Sequence, residues 1–192
     1  MTQTRPSPTP QSKTIFLFLL AGGLLLIGIA IVLLYLPEAQ DQVLANGYSA
    51  VPEKVNIAAP ALRLTNLDGK PVMLSDYLGK VVLVNNWATW CPPCKAEMPT
   101  LESYYIDHQA QNFVIIAIES GETQDEVADF VAQYGLTFPV WLDERGIALD
   151  AFQNWDLPSS FVIDEAGTIV LTWTGSISRA MLDKYVTPLL EK

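Results

Sequence analysis

The feature that most constrains this chain is an apolar run near its N-terminus, residues 15–36, which contains no charged residue. Its 22 residues would form a helix about 33 Å long, enough to cross a hydrocarbon core of about 30 Å. The run is also longer than the roughly 7–15 apolar residues of a cleaved signal peptide. We therefore expect it to be an uncleaved transmembrane anchor.

The charges on either side of the run predict its orientation. Arg5 and Lys13 precede it without any acidic residue, whereas Glu38 and Asp41 follow it closely. Positive charge favours the cytoplasmic side of a membrane. We expect a single-pass protein of the cell membrane, with its N-terminus in the cytoplasm and the rest of the chain outside.

The anchor divides the remainder of the chain into three parts. Residues 1–14 are rich in Pro, Ser and Thr and are predicted to be a disordered cytoplasmic tail, and residues 37–54 a polar linker. Residues 55–192 are long enough for one globular domain. From residue 37 onwards the chain carries all 21 acidic residues and a net charge of −12. This charge argues against nucleic-acid binding, which needs clustered Lys and Arg.

Strand and helix patterns alternate through the domain, which predicts an α/β fold with a mixed sheet covered on both faces. Short runs of β-branched and apolar residues are typical of buried central strands. Two hairpins are predicted where Asp68-Gly69 and Glu165-Ala166-Gly167 supply turn residues. The predicted strands and helices are Ala61–Leu67, Pro71–Leu74, Val81–Val84, Phe113–Ile118, Thr123–Tyr134, Phe138–Leu142, Phe161–Asp164, Thr168–Trp173 and a final helix from Ser178 to Leu189.

Two cysteines lie at a predicted strand-to-helix turn, in the sequence Cys91-Pro92-Pro93-Cys94. If the helix starts near Cys91, that sulfur lies beside unpaired backbone N–H groups and the positive end of the helix dipole, which both favour the thiolate. Cys94 would point inward. The pattern therefore predicts thiol–disulfide exchange, in which Cys91 attacks a partner's sulfur and Cys94 resolves the mixed disulfide.

Two other interpretations of the cysteine pair are a zinc site and a structural disulfide. Half a zinc site would need further ligands, and His108 is the only histidine of the chain, so we predict no metal. A structural disulfide would stabilise little, because a loop of two residues carries little chain entropy.

Glu97 follows Cys94 by three residues, so on a helix the two side chains share a face. A carboxyl group near a poorly solvated thiol has a raised pKa and can exchange a proton with it. The alternative is an ordinary glutamate on the helix surface.

The segment from Trp87 to Pro99 resembles the active-site segment of TlpA/ResA-like disulfide reductases, members of the redoxin (AhpC/TSA-related) family. The resemblance extends over about residues 57–190 and implies a thioredoxin-like fold with an N-terminal hairpin and a central αβ insert. It also assigns Glu97 the role of modulating the thiols. Asn85 stands where thioredoxin itself carries a buried aspartate.

The resemblance places Pro158 opposite the disulfide as a cis-proline. A cis bond is accessible at small cost before proline, and it would present the Leu157 backbone to a substrate strand. The alternative is an ordinary trans-proline at the start of a strand. Leu157 and Pro158 are predicted to contact the substrate, together with Pro92 and Pro93. Trp90 either joins this docking surface or packs into the core; Trp141, Trp155 and Trp173 are assigned to the core.

The resemblance implies a membrane-anchored, extracytoplasmic protein that reduces disulfides of client proteins, such as apocytochrome c during cytochrome c maturation. It needs no cofactor, and a membrane-embedded dithiol donor of the CcdA/DsbD type would restore its thiols. A disulfide oxidase or isomerase with the same site is the alternative. A thiol peroxidase is less expected, because the residues around Cys91 lack the peroxiredoxin pattern, and an inert binding module would carry a disulfide that resists exchange.

Overall fold

The computed structural model describes residues 22–25 and 51–191. Residues 22–25 are helical. The rest of the predicted anchor, the N-terminal tail and most of the predicted linker lie outside the described residues. Within the two described ranges, no helix is both long and apolar enough to span a bilayer.

Residues 51–191 fold around an eight-stranded mixed sheet. Its strands are β1 (Glu53–Ala58), β2 (Arg63–Asn66), β3 (Pro71–Met73), β4 (Val81–Trp87), β5 (Phe113–Ser120), β6 (Val140–Asp143), β7 (Ser159–Ile163) and β8 (Thr168–Thr174). They are ordered β1-β8-β7-β4-β5-β6-β2-β3. The central strands β4, β5 and β6 run parallel, and every other pair of neighbours is antiparallel.

Helices cover both faces of the sheet. They are α1 (Pro92–His108), α2 (Gln124–Tyr134), α3 (Ile147–Ala151), α4 (Arg179–Tyr185) and α5 (Thr187–Leu190). Strand β4 is buried along its whole length, and its residues alternate between two cores. Leu83 packs with Met98 of α1 in one core, whereas Val84 packs with Trp141 in the other. The α/β prediction is confirmed.

Both predicted hairpins are present. Gly69 and Gly167 have φ angles of 72° and 83°, the left-handed region in which glycine is unstrained. The first hairpin joins β2 to β3 and the second joins β7 to β8. The predicted central strands Val81–Val84, Phe113–Ile118 and Phe138–Leu142 correspond to β4, β5 and β6. All three are buried along their length, as expected for apolar runs covered on both faces of a sheet.

The prediction was wrong at both ends of the domain. Strand β1 starts at Glu53, inside the predicted linker, and pairs with β8 at the edge of the sheet. Val55 and Ile57 alternate with polar residues along it, but the pattern covers only two apolar residues and the side chains are mostly exposed, so the strand was not separated from the linker. The predicted single C-terminal helix is two helices, α4 and α5. Pro188 lacks the backbone N–H that would continue the hydrogen-bond ladder.

The prediction was also wrong for Trp155. Its residue type predicts a place in the core, but 64% of it is exposed, whereas Trp141 and Trp173 are buried. Its indole Nε1–H donates to Asp150 Oδ1 at 2.9 Å, a partner that is available at the surface.

Candidate active site

Cys91 and Cys94 form a disulfide at the start of α1, just after the turn that follows β4. The S–S distance is 2.06 Å and the Cα atoms are 5.3 Å apart. Cys91 is the N-cap residue of α1, and its sulfur accepts a hydrogen bond from the Cys94 N–H at 3.3 Å. Pro92 and Pro93 occupy the first helical positions, where a missing N–H costs nothing. Cys91 therefore lies at the positive end of the helix dipole, as the sequence predicts.

The two cysteines differ little in exposure in this oxidised state. Cys94 is completely buried and Cys91 is 3% exposed. Cys91 is the more exposed of the two, as the sequence predicts. In residues 22–25 and 51–191, no three His, Cys, Asp or Glu side chains are grouped so as to hold a metal ion.

Glu97 is buried one helical turn beyond Cys94, with 3% of the residue exposed. Its Oε1 accepts a hydrogen bond from Asn85 Nδ2 at 2.9 Å, and its Oε2 accepts one from the Ile177 N–H at 2.8 Å. Burial raises the pKa of Glu97 to about 7, although the two hydrogen bonds favour the ionised form. A carboxyl group poised near neutrality can gain or lose a proton during thiol chemistry. The alternative of a surface glutamate is wrong.

Asn85 connects this carboxyl group to the sheet. Besides donating to Glu97, its Nδ2 donates to Ser160 Oγ at 2.9 Å. The contact joins β4 to β7, and Ile177 adds the segment that precedes α4. Two separate parts of the chain thus hold the Glu97 side chain directly, and β7 holds Asn85 in turn.

The Leu157–Pro158 peptide bond is cis, as the resemblance predicts. It leads directly into β7, the antiparallel neighbour of β4. The Pro158 carbonyl accepts a hydrogen bond from the Gly175 N–H at 2.8 Å, which ties the bend to the end of β8.

A groove of about 420 Å³ opens beside the disulfide. Four of the predicted substrate-binding residues line it, and Pro158 does not. Trp90 is 66% exposed, so the prediction that it packs into the core is wrong and the docking interpretation remains. Trp155 forms another part of the wall. The lining residues are Trp90, Cys91, Pro92, Pro93, Ser120, Leu149, Trp155, Asp156 and Leu157.

One group close to the disulfide belongs to the acidic segment Glu119–Gln124, from which no site residue was predicted. Glu122 follows β5 and accepts hydrogen bonds from the backbone N–H and the side-chain hydroxyl of Thr89, two residues before Cys91. Glu119, completely buried, accepts from the Glu122 N–H at 3.2 Å. In the sequence this segment directly follows the predicted strand Phe113–Ile118; in the structure Glu119 lies within β5 and Glu122 just beyond its end.

A disulfide that caps a helix beside a carboxyl group of near-neutral pKa defines a centre for thiol–disulfide exchange. Comparisons with known proteins agree with this class. The sequence pattern of the AhpC/TSA family matches residues 55–172. The chain is 37% identical over 158 residues to the thiol-disulfide oxidoreductase ResA of Bacillus cereus, covering 81% of this chain and 91% of that protein. It is 38% identical over 128 residues to ResA of Bacillus subtilis, covering 67% and 72%.

Solved structures show the same fold. A putative thiol:disulfide interchange protein DsbE from Chlorobium tepidum is similar, with a TM-score of 0.66 at 28% identity, covering 72% of this chain and 98% of that one. The chain belongs to the AhpC/TSA family and, within it, to the ResA/TlpA-like redoxins with a thioredoxin-like fold. It is a thiol-disulfide oxidoreductase.

Proposed function

We propose that this protein is a membrane-anchored, extracytoplasmic disulfide reductase. Its clients would be proteins that must be kept reduced outside the cytoplasm, such as apocytochrome c before haem attachment. The observation that carries the proposal is the Cys91–Cys94 disulfide at the N-terminus of α1 with the buried Glu97 one turn further on. The same chemistry could run in either direction, and the resemblance of the segment from Trp87 to Pro99 to disulfide reductases favours reduction.

The first step is attack by the Cys91 thiolate on one sulfur of a client disulfide. A bond forms between Cys91 Sγ and that sulfur, the client S–S bond breaks, and the other client sulfur leaves as a thiolate that takes up a proton. The helix N-terminus stabilises the attacking thiolate.

The second step releases the client. The Glu97 carboxylate accepts the proton of the Cys94 thiol, and the resulting thiolate attacks Cys91 Sγ. The intramolecular disulfide forms, the mixed disulfide breaks, and the second client sulfur leaves as a thiolate. Two electrons have passed from this protein to the client. A membrane-embedded dithiol of the CcdA/DsbD type would return them by the reverse sequence of bond changes.

The groove beside Cys91 supplies a surface for the client. Trp90, Pro92, Pro93 and Leu157 line it, and the cis-Pro158 bend follows directly. We propose that a client segment lies along this surface in an extended conformation, pairs with the Leu157 backbone, and brings its sulfur to Cys91.

The anchor is the second part of the proposal. The apolar run of residues 15–36, preceded by Arg5 and Lys13, supports a single-pass helix with the catalytic domain outside the cytoplasm. A fusion of alkaline phosphatase to the C-terminus tests this topology. We expect phosphatase activity and recovery of the chain in the membrane fraction; an inactive fusion, or a chain released from the membrane, would contradict it.

The reductase activity is tested with a synthetic peptide that carries an oxidised Cys-x-x-Cys-His segment. The full chain, reduced with dithiothreitol and then freed of it, is mixed with the peptide, and the peptide thiols are counted. We expect one peptide disulfide to be reduced for each protein dithiol. Cys94→Ser should instead accumulate a covalent complex with the peptide through Cys91. An absence of both products would exclude the proposed function.

A further inference from the structure

The loop that precedes the cysteine pair is held by one carboxylate from the neighbouring strand. Glu122 Oε2 accepts a hydrogen bond from the Thr89 N–H at 2.8 Å, and its Oε1 accepts one from the Thr89 hydroxyl. Both oxygens of one side chain therefore contact one residue. The contact bridges 33 positions of sequence, and it places the carboxylate two residues before Cys91.

The contact exists because β4 and β5 are parallel neighbours that end side by side. Trp87 at the end of β4 is in register with Glu119 near the end of β5. Glu119 in turn accepts a hydrogen bond from the Glu122 N–H at 3.2 Å. Glu122 is thus itself held at its backbone by a completely buried side chain, so the tether to Thr89 is anchored in the core of the sheet.

The loop begins at Ala88, which is completely buried. The Cys91 N–H donates to the Ala88 carbonyl at 3.2 Å, which closes a tight turn over residues 88–91. Trp90 inside this turn is 66% exposed, so its ring is held by little packing. Because Thr89 lies inside this turn, a shift of its backbone would move Trp90 and Cys91, the next two residues of the chain.

We propose that Glu122 is a positioning residue for disulfide exchange. Its carboxylate sets the turn that presents Trp90 and Cys91 to a docked client segment. The inference rests on the proposed function, because it assumes that a polypeptide disulfide binds along the groove. A small disulfide needs only access to the Cys91 sulfur, whereas a polypeptide must also be aligned by Trp90.

The chain offers a matched control in a second contact of the same kind. Glu102 on α1 accepts hydrogen bonds from the Thr137 N–H at 2.8 Å and from the Thr137 hydroxyl at 2.5 Å. Thr137 precedes β6, and neither residue lines the groove beside the disulfide. Removing either glutamate breaks two hydrogen bonds of the same kind, one to a threonine N–H and one to its hydroxyl. For Glu122 the threonine lies beside Cys91, and for Glu102 it lies away from the groove.

The experiment measures single-turnover rates of the reduced full chain with two disulfides. One is the oxidised Cys-x-x-Cys-His peptide, and the other is the small reagent 5,5′-dithiobis(2-nitrobenzoate). For Glu122→Ala we expect a loss of about tenfold with the peptide, the cost of a misaligned docking surface, and less than about twofold with the small reagent. For Glu102→Ala we expect both rates to stay at the wild-type value.

A milder pair of variants guards against unfolding. Thr89→Val keeps the shape and the backbone N–H but removes the hydroxyl donor, so its peptide rate should fall by about threefold. Thr89→Ser keeps both donors and should react like the wild type.

The outcomes separate the inference from the function on which it rests. Unchanged peptide rates in Glu122→Ala and Thr89→Val would overturn the positioning role, as would an equal loss with both disulfides or an equal loss in Glu102→Ala. A wild type that reacts with the small reagent but never with the peptide would overturn the proposed function, and the inference with it.

Discussion

Helix α1 buries two glutamates five residues apart, Glu97 and Glu102, and their surroundings differ. Glu102 is 8% exposed and has both oxygens satisfied by Thr137 alone. Glu97 is 3% exposed, receives its two hydrogen bonds from separate elements, and has a pKa raised to about 7 by burial.

The comparison shows that burial of a carboxyl group does not by itself mark a catalytic residue. Glu102 fastens α1 to the loop before β6, and that contact accounts for its burial. Glu97 also fastens elements together, but it lies one turn from Cys94, where a proton has to move. The same residue type on the same helix is a structural tie in one place and, by our proposal, a proton acceptor in the other.

The largest expected effect comes from the cysteines, because no other group can form the covalent intermediate. Cys91→Ser should lower turnover with the Cys-x-x-Cys-His peptide by roughly 1000-fold or more. The rate of release of peptide thiols measures it. Retention of substantial turnover in this variant would contradict the assignment of Cys91 as the nucleophile.

The next effect separates the two glutamates. Glu97→Gln keeps the size and one acceptor oxygen but cannot take a proton, so resolution by Cys94 should slow by about 100-fold, as for loss of a general base. The measurement is single-turnover kinetics of the mixed disulfide. Glu102→Gln is the control and should leave this rate unchanged; a comparable loss there would show that packing of α1, and not proton transfer, limits the reaction.

The pH dependence of stability should also single out Glu97. Its folded pKa of about 7 lies above the ordinary value of 4.5, so the native state binds the proton more tightly than the unfolded state. The associated stabilisation is complete below about pH 4.5 and is lost as the pH rises through 7. Between pH 5 and 7.5 the oxidised wild type should lose about 2 kcal/mol relative to Glu97→Gln.

Denaturant unfolding of both oxidised proteins across this range measures the difference. Glu119, whose pKa burial raises to about 8, contributes a loss of the same sign to both proteins, so the comparison isolates Glu97. Parallel pH profiles would contradict the raised pKa.

The contact between Glu102 and Thr137 should affect the free energy of unfolding and not the rate of disulfide exchange. Glu102→Ala leaves the Thr137 N–H and hydroxyl without their acceptor, which should cost about 1–2 kcal/mol of unfolding free energy. Urea denaturation measures this cost. If the rate of peptide reduction fell by more than the fraction of unfolded protein explains, Glu102 would take part in the reaction, and its contrast with Glu97 would be wrong.

The smallest expected effect concerns the groove wall. Trp155 is 64% exposed, so Trp155→Ala should change stability by less than about 0.5 kcal/mol. Because the ring lines the groove, KM for the peptide should rise by about threefold, while the rate with a small disulfide stays constant. An unchanged KM would place the client segment elsewhere.

Local patterns were enough to predict the centre of this molecule. The apolar run of β4 followed by Cys91, two prolines and Cys94 indicates a strand, a turn and a helix, and the spacing to Glu97 indicates a shared face. The cis bond at Pro158 was predictable only through the family resemblance, since a trans-proline satisfies the same local pattern.

Other parts of the site depend on contacts that no local pattern records. Thr89 and Glu122 are 33 positions apart, and they meet only because β4 and β5 end in register. Trp155 looks like a core residue by type, and only the polar loop around it and its bond to Asp150 explain its exposure. The edge strand β1 has only two alternating apolar residues, Val55 and Ile57, too few to separate it from the polar linker.

The central claim is that Cys91 and Cys94 form a dithiol that donates electrons to client proteins. Equilibration of the full chain in detergent with dithiol buffers of defined composition measures the reduction potential of this pair. A potential below about −220 mV, towards the value of thioredoxin, is what the account predicts for a reductase. A potential near about −120 mV, the range of a strong oxidant, would contradict it.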